Sequence, residues 1–278
     1  MDAGIPASSL ALLVAALSAA GVLTGFLAGL LGVGGGAILV PILYETFSFL
    51  GVDEGIRMHM VLGTSLAVIV PTSLRSARGH WQKGAMDTSV LRRLGPFVAF
   101  GVVLGVLTAS AASTSALKWV WVVAGSLMSI KMAFGRDDWR LGDALSASWG
   151  LEATAVVIGV VSALMSIGGG MFVVTLLTLF AMPILPAVAT SSGFGPIISI
   201  PGALGFAWAG WDVGGRPPFS LGYVNLLGAA LVIPASLLAV PWGVHVAHAI
   251  PKRKLEHAFA GFLACVAARF LWSLMRGP

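Results

Sequence analysis

The sequence predicts an all-α polytopic membrane protein, with about 8–10 transmembrane segments in two inverted-topology repeats and glycine-broken helices. Three observations lead there. The chain has 278 residues, 58% hydrophobic and only 10% charged, with a mean hydropathy of +0.96. Soluble domains carry about 25% charged residues, so this chain cannot cover a water-facing surface. No charged residue occurs from Ala153 to Trp211, a run far longer than the roughly 20 apolar residues one span needs. Finally, Gly32-Val33-Gly34-Gly35-Gly36 recurs as Ser166-Ile167-Gly168-Gly169-Gly170, each interrupting an apolar run and opening another.

Taken in order, the first five apolar segments fall at about 8–32, 34–50, 59–75, 93–112 and 116–134. The second five fall at about 148–167, 169–183, 186–209, 219–244 and 255–275. The first is read as a retained helix, because a signal peptide has a basic n-region and the only early charge here is Asp2. The segments opened by the triple glycines are short, at about 15–17 residues. They would span only a thin or shielded bilayer, so one of them is a candidate re-entrant helix. The division is residues 1–136 for the first half, 137–147 for a charged linker around Arg136-Asp137-Asp138-Trp139-Arg140, and 148–278 for the second half.

The charges give the orientation. The formal net charge is +5 and the pI about 9.9, a balance also found in nucleic-acid binders, but position argues otherwise. Eleven of the 16 Lys and Arg residues follow segments three, five and nine: Arg75, Arg78, Lys83, Arg92, Arg93; Lys131, Arg136, Arg140; Lys252, Arg253 and Lys254. If all ten segments span, these regions share one side. The positive-inside rule makes it the cytoplasm and puts both termini outside. Five spans per half is an odd number, so the second half enters from the opposite face, a plan common in secondary transporters. Gly63-Thr64-Ser65 then answers Ala189-Thr190-Ser191, Gly84 answers Gly210, and Asp87 answers Asp212 with a one-residue slip. Trp81, Trp119, Trp121, Trp208, Trp211 and Trp242 lie near segment ends, as interfacial anchors do.

The triplets Gly34, Gly35, Gly36 and Gly168, Gly169, Gly170 carry the most chemistry. Backbone N–H groups at a helix start lack intrahelical partners, and the helix dipole makes that end positive. Without Cβ atoms an anion can approach them closely. Irregular backbone at membrane depth is tolerated only inside protein or along a cavity. By contrast, Gly21, Gly25 and Gly29, and Gly101 with Gly105, repeat every four residues and read as packing seams. Thr64 and Ser65, matched by Thr190, Ser191 and Ser192, could donate hydroxyls to an anion; equally, they could bond their own helix backbone. Candidate gating or coupling residues are Glu45, His59, Arg75, Arg78, His80 and Arg269. Glu45 with His59 could take up a proton, Arg75, Arg78 and His80 could gather anions at an inner vestibule, and Arg269 could form an ion pair. Cys265 stands alone in an apolar segment and reads as a small packing residue. No nucleophile elbow, zinc helix or phosphate-binding loop appears, so no enzyme, no cofactor and no metal site is expected.

Gly29-Leu30-Leu31-Gly32-Val33-Gly34-Gly35-Gly36 followed by Val40-Pro41-Ile42-Leu43 resembles the opening signature of the TauE/SafE sulfite exporter family. Gly63-Thr64-Ser65-Leu66 resembles its second signature, and His80 with Gly84 and Asp87 the polar loop that follows. Ile167-Gly168-Gly169-Gly170 and Ala187-Val188-Ala189-Thr190-Ser191 repeat the pattern, so the resemblance covers about residues 12 to 272. Val61, Thr175 and Phe206 depart from it: the family often has Ala upstream of Gly63, Thr175 faces Pro41 of the first half, and Phe206 faces His80. The resemblance implies a bacterial or archaeal inner-membrane permease for sulfite, sulfonates or related organic anions. The expected partners are a small anionic substrate and the lipid bilayer, with no nucleic acid. The oligomeric state is left open, a homodimer among the candidates. The leading expectation is a secondary transporter that exports the anion by alternating access. A passive anion channel and a non-transporting membrane scaffold are the alternatives.

Overall fold

A computed structural model describes residues 7–32, 35–135, 142, 149–247 and 252–276. The expected linker lies outside the described residues except for Gly142, as does Gly34. The described chain forms ten α-helices: α1 (Ala7–Leu31), α2 (Gly36–Phe49), α3 (Glu54–Gln82), α4 (Thr88–Ala111), α5 (Thr114–Phe134), α6 (Trp149–Met165), α7 (Gly170–Leu179), α8 (Ile184–Ala209), α9 (Leu226–Val246) and α10 (Lys252–Met275). A two-stranded antiparallel ribbon, β1 (Ser220–Leu221) with β2 (Val224–Asn225), precedes α9. Five helices, α3, α4, α5, α8 and α9, are long and apolar enough to cross a membrane by length and composition. The chain is a multi-pass, all-α membrane protein.

Local sequence sets most helix starts. Asp53, Asp87, Ser113 and Asn225 each accept a backbone N–H bond at the first turn of α3, α4, α5 and α9. Such caps are worth about 1 kcal/mol each. The helices α2 and α7 differ. They begin at Gly35 (φ 73°) and Gly169 (φ 69°), both left-handed, with no side-chain cap. With 14 and 10 residues, they are about 21 and 15 Å long, well under the roughly 30 Å of a hydrocarbon core. They are half-helices.

Five expected boundaries move by four residues or more. α3 starts at Glu54 and α4 at Thr88, each five residues before the expected start, behind the Asp53 and Asp87 caps. α3 continues to Gln82, so Arg75, Arg78 and His80 are helical rather than part of a loop after it. α9 starts at Leu226, not near 219, because Asn225 caps it and the ribbon pairs Ser220 with Asn225. α7 ends at Leu179, four residues short of the expected 183: Ala181 has φ 60° and Pro183 opens α8. Asn225, rather than Asp212, therefore plays at α9 the part Asp87 plays at α4, since the connection before α9 is longer.

Packing exchanges elements between halves. α1 lies along α9, with Gly21, Gly25 and Gly29 against the backbone of Val232, Ser236 and Val240. α6 lies along α4, with Gly101 and Gly105 against Val156 and Val160. A Cβ at these positions would strike a neighbouring carbonyl, so these glycines are packing seams. α3 and α8 cross antiparallel at the centre: Gly63 meets Phe206, Leu66 meets Gly202 and Ser73 meets Gly195. α5 and α10 are likewise antiparallel, through Lys118–Ser273 and Ser129–Ala260. Cys265, read from the sequence as a small packing residue, is exposed on α10.

Candidate functional site

The two helix breaks are buried and touch. Gly35 and Gly36, and every residue from Ser162 to Met171, are buried. Gly36 abuts the carbonyl of Ser166, and a Cβ there would also come within 2.8 Å of Ile69. Only glycine permits this approach. The geometry before each half-helix matches: Gly32 has φ 65° three residues before Gly35, and Ser166 has φ 50° three residues before Gly169. A non-glycine residue in that region costs about 1–2 kcal/mol. Ser166 is held there as its hydroxyl donates to the Leu62 carbonyl at 3.0 Å. In the other half Gly32 approaches the Val188 carbonyl and the Ser191 hydroxyl. Each break therefore leans on the Thr/Ser-bearing helix of the opposite half.

Ile38 N–H of α2 donates to the Gly35 carbonyl at 3.2 Å, but the N–H groups of Gly36 and Ala37, and of Gly170 and Met171 in α7, have no intrahelical acceptor by geometry and no capping side chain. Beside them sit hydroxyls that lack partners. Thr24 is fully buried with Oγ1 unpartnered, and its methyl packs on Gly35. Ser162 is fully buried with Oγ unpartnered, 3.2 Å from where a Cβ on Gly169 would lie. Ser65 Oγ is buried and unpartnered too. An unmet buried hydroxyl costs about 1–3 kcal/mol, so three around two uncapped helix starts need an explanation. The local positive potential of both helix ends and the free donors together suit a small oxyanion.

The other hydroxyls are committed. Thr64 Oγ1 accepts from Asn225 N–H at 2.9 Å, and Thr190 Oγ1 accepts from Asp87 N–H at 2.9 Å. Each thus braces the cap of a fourth helix, α9 or α4, in the opposite half, and its own O–H remains a donor. Ser191 and Ser192 donate to Val188 and Ala189 carbonyls on their own helix. Asp87, which caps α4, is held below the ordinary carboxylate range, mainly by the Ser89 hydroxyl and then by the Ser89 and Val90 N–H groups, against opposing burial.

The ionisable candidates separate. Glu45 pairs with Arg269 at 2.8 Å, both half-exposed, while His59 Nε2 donates to the Ala109 carbonyl at 3.0 Å and stacks on Tyr223. Glu45 thus finds a cation rather than the histidine the sequence offered. Arg75 and Arg78 line a groove of about 790 Å³ between α3 and α9, with Lys83 and His245. His80 is not in it: it turns inward, buried, and donates to the Gly29 carbonyl at 3.0 Å. Burial pushes the Tyr223 hydroxyl above its usual range, with Arg216 opposing.

Sequence reasoning passed over Thr24, Ser162 and Ser166. Their signal was faint: lone hydroxyls in apolar runs within a few turns of the breaks. It also missed an ion pair between buried Lys118 and half-exposed Glu54, Nζ to Oε1 at 2.6 Å, with Lys118 also on Ser273 and over the Tyr44 ring.

Comparison with known proteins adds the family. Residues 17–270 match Sulfite exporter TauE/SafE. A probable membrane transporter protein of Haemophilus influenzae is 32% identical over 253 residues, 89% of this chain and 94% of that one. Probable membrane transporter proteins of Methanocaldococcus jannaschii (26%, 83% of this chain and 82% of that one) and Bacillus subtilis (23%, 85% and 91%) are also similar. No solved structure matches. The chain belongs to the TauE/SafE sulfite exporter family, which makes it a membrane transporter.

Proposed function

From that membership and the paired helix breaks, we propose that the protein exports a small sulfur-containing anion, sulfite or an organosulfonate, as a secondary transporter. The anion binds near the midplane, between the starts of α2 and α7. First-turn N–H groups hold its oxygens, and hydroxyls of Thr24, Ser65 and Ser162, with the free O–H groups of Thr64 and Thr190, complete the donor set. The two halves are inverted repeats, and rocking of one against the other exposes the site alternately. The antiparallel crossing of the matched helices α3 and α8, where Ser73 and Ser199 approach to 3.5 Å, supports that relation. The basic ends of α3 and α9 face the cytoplasm of a bacterial inner membrane, with both termini outside.

One observation carries the reading: two helix breaks with left-handed glycine caps, both buried and without a side-chain cap, meet where Gly36 abuts the Ser166 carbonyl, beside unpartnered hydroxyls. Asp53, Asp87, Ser113 and Asn225 cap four other helices, while α8 starts uncapped at Pro183, so what sets α2 and α7 apart is the pair of buried left-handed glycines. An inside-negative potential favours anion efflux by about 2.3 kcal/mol per charge per 100 mV. Purified protein in liposomes should release loaded sulfite saturably and show counterflow with external sulfite or sulfonate. Linear flux without counterflow would make it a channel, and no flux of either anion would overturn the proposal.

A further inference from the structure

A second feature lies away from the breaks, on the face shared by α3 and α9. These helices run side by side in the same direction. Thr64 meets Asn225 at one level, and Lys83 Nζ donates to the Val244 carbonyl at 3.2 Å further along both. The inward face of α3 is taken by Ser76 and His80, which bond carbonyls of α1. Arg75 and Arg78 project from the other side into the groove of about 790 Å³. Both are exposed and have no ion-pair partner among the described residues.

The chemistry of the groove changes across its width. On α3, Arg75, Arg78 and Lys83 follow Pro71 and Leu74, while α9 faces them with the apolar Leu237, Val240, Pro241 and Val244 before His245. From Pro71 to Lys83 the helix rises about 18 Å. No carboxylate lines it. An adjoining cavity of about 760 Å³ shares Leu74, Arg78 and Gln82 and continues past Trp81 and Met86. A free oxyanion would use the basic side on α3 and leave the apolar wall of α9 idle. A segregated charge and an apolar track of that length match an amphiphile. Guanidinium forks suit a phosphodiester, and basic pockets between membrane helices recognise acidic headgroups.

We propose that this groove binds an anionic phospholipid, with its phosphate on Arg75, Arg78 and Lys83 and one acyl chain along Leu74, Pro71, Leu237 and Pro241. Because α3 and α9 belong to different halves, the lipid bridges them and sets how readily they move apart.

The test uses the full purified chain in detergent, with native mass spectrometry and unfolding temperature as readouts. Phosphatidylglycerol should be retained and should raise the unfolding temperature; phosphatidylcholine with the same acyl chains should do neither. The Arg75→Gln/Arg78→Gln variant should bind phosphatidylglycerol about tenfold more weakly or worse. Leu237→Trp fills the apolar side of the groove and keeps every charge. It should lower phosphatidylglycerol retention severalfold while leaving inorganic phosphate binding unchanged, and it decides the matter if the arginine variant does not fold. Equal retention of the two lipids, or displacement of phosphatidylglycerol by millimolar sulfate with Leu237→Trp silent, would overturn the proposal and leave the groove a free-anion vestibule.

Discussion

Thr64 and Thr190 occupy matching places but should not matter equally. Each accepts a backbone N–H from the cap residue of a helix in the other half, at 2.9 Å. Replacing either by Val keeps the shape and removes the acceptor. At Thr64 the orphaned donor is Asn225 N–H, on a residue only 6% exposed. Water cannot replace the lost oxygen there, so Thr64→Val should cost about 1–3 kcal/mol, the price of a buried unsatisfied donor. At Thr190 the orphan is Asp87 N–H, on a half-exposed residue that water reaches. Thr190→Val should therefore cost only the net bond, about 0.5–1.5 kcal/mol. Thr64→Ser keeps the hydroxyl and should recover most of the loss. Denaturant titration in detergent micelles, followed by tryptophan fluorescence, ranks the three variants. A Thr190→Val loss as large as that of Thr64→Val, or a neutral Thr64→Val, would refute the brace.

Other outcomes are equally specific. Gly36→Ala should destabilise by about 1–3 kcal/mol through overpacking on the Ser166 carbonyl, and sulfite efflux from liposomes should fall more than the folded fraction does. Glu54→Gln strands Lys118, which is 2% exposed, and should cost about 3 kcal/mol, whereas Lys118→Met leaves a carboxylate that is 39% exposed and should cost less in the same micelle titration. The folded-state pKa of Asp87 is depressed, so its contribution is complete above the unfolded value and lost as pH falls through the folded one. The unfolding-temperature gap between wild type and Asp87→Asn should be constant from pH 5 to 8 and shrink below about pH 4. Glu45→Gln and Arg269→Gln should each weaken a half-exposed pair by about 1 kcal/mol or less, and the swap Glu45→Arg/Arg269→Glu should restore stability.

Much of the fold was legible because a bilayer limits the choices. An uncharged run from Ala153 to Trp211 has to be helix, and glycine or proline has to punctuate it. Ten segments came out with few boundary changes. The misplaced start of α9 has a physical cause. The residues of 219–225 are apolar enough to pass for helix, but a two-stranded ribbon and the Asn225 cap need long-range partners, α3 above all. The shift of α3 to Gln82 has the opposite cause: charged residues read as loop, although an exposed helix end carries arginines readily.

The candidate site was half visible. Three adjacent glycines cannot be a packing stripe, so the backbone requirement at Gly35 and Gly169 stood in the residues themselves. Their neighbours did not. Thr24 is 11 positions from Gly35, and Ser162 seven from Gly169; nothing local says that their hydroxyls lack partners. The sequence paired Glu45 with His59, and only the packing of α2 on α10 brings Arg269 to it instead.

What the sequence alone determined is the solvent, the number of segments and the place of the breaks, because composition, periodicity and glycine act through local physics. Which surfaces meet was decided by tertiary structure. The first helix of each half packs on the fourth helix of the other, and each break leans on the opposite Thr/Ser-bearing helix. Those contacts join residues 55 or more positions apart, as Gly101 and Val156 are, and their energies come from close backbone approach and shared hydrogen bonds that no single segment contains.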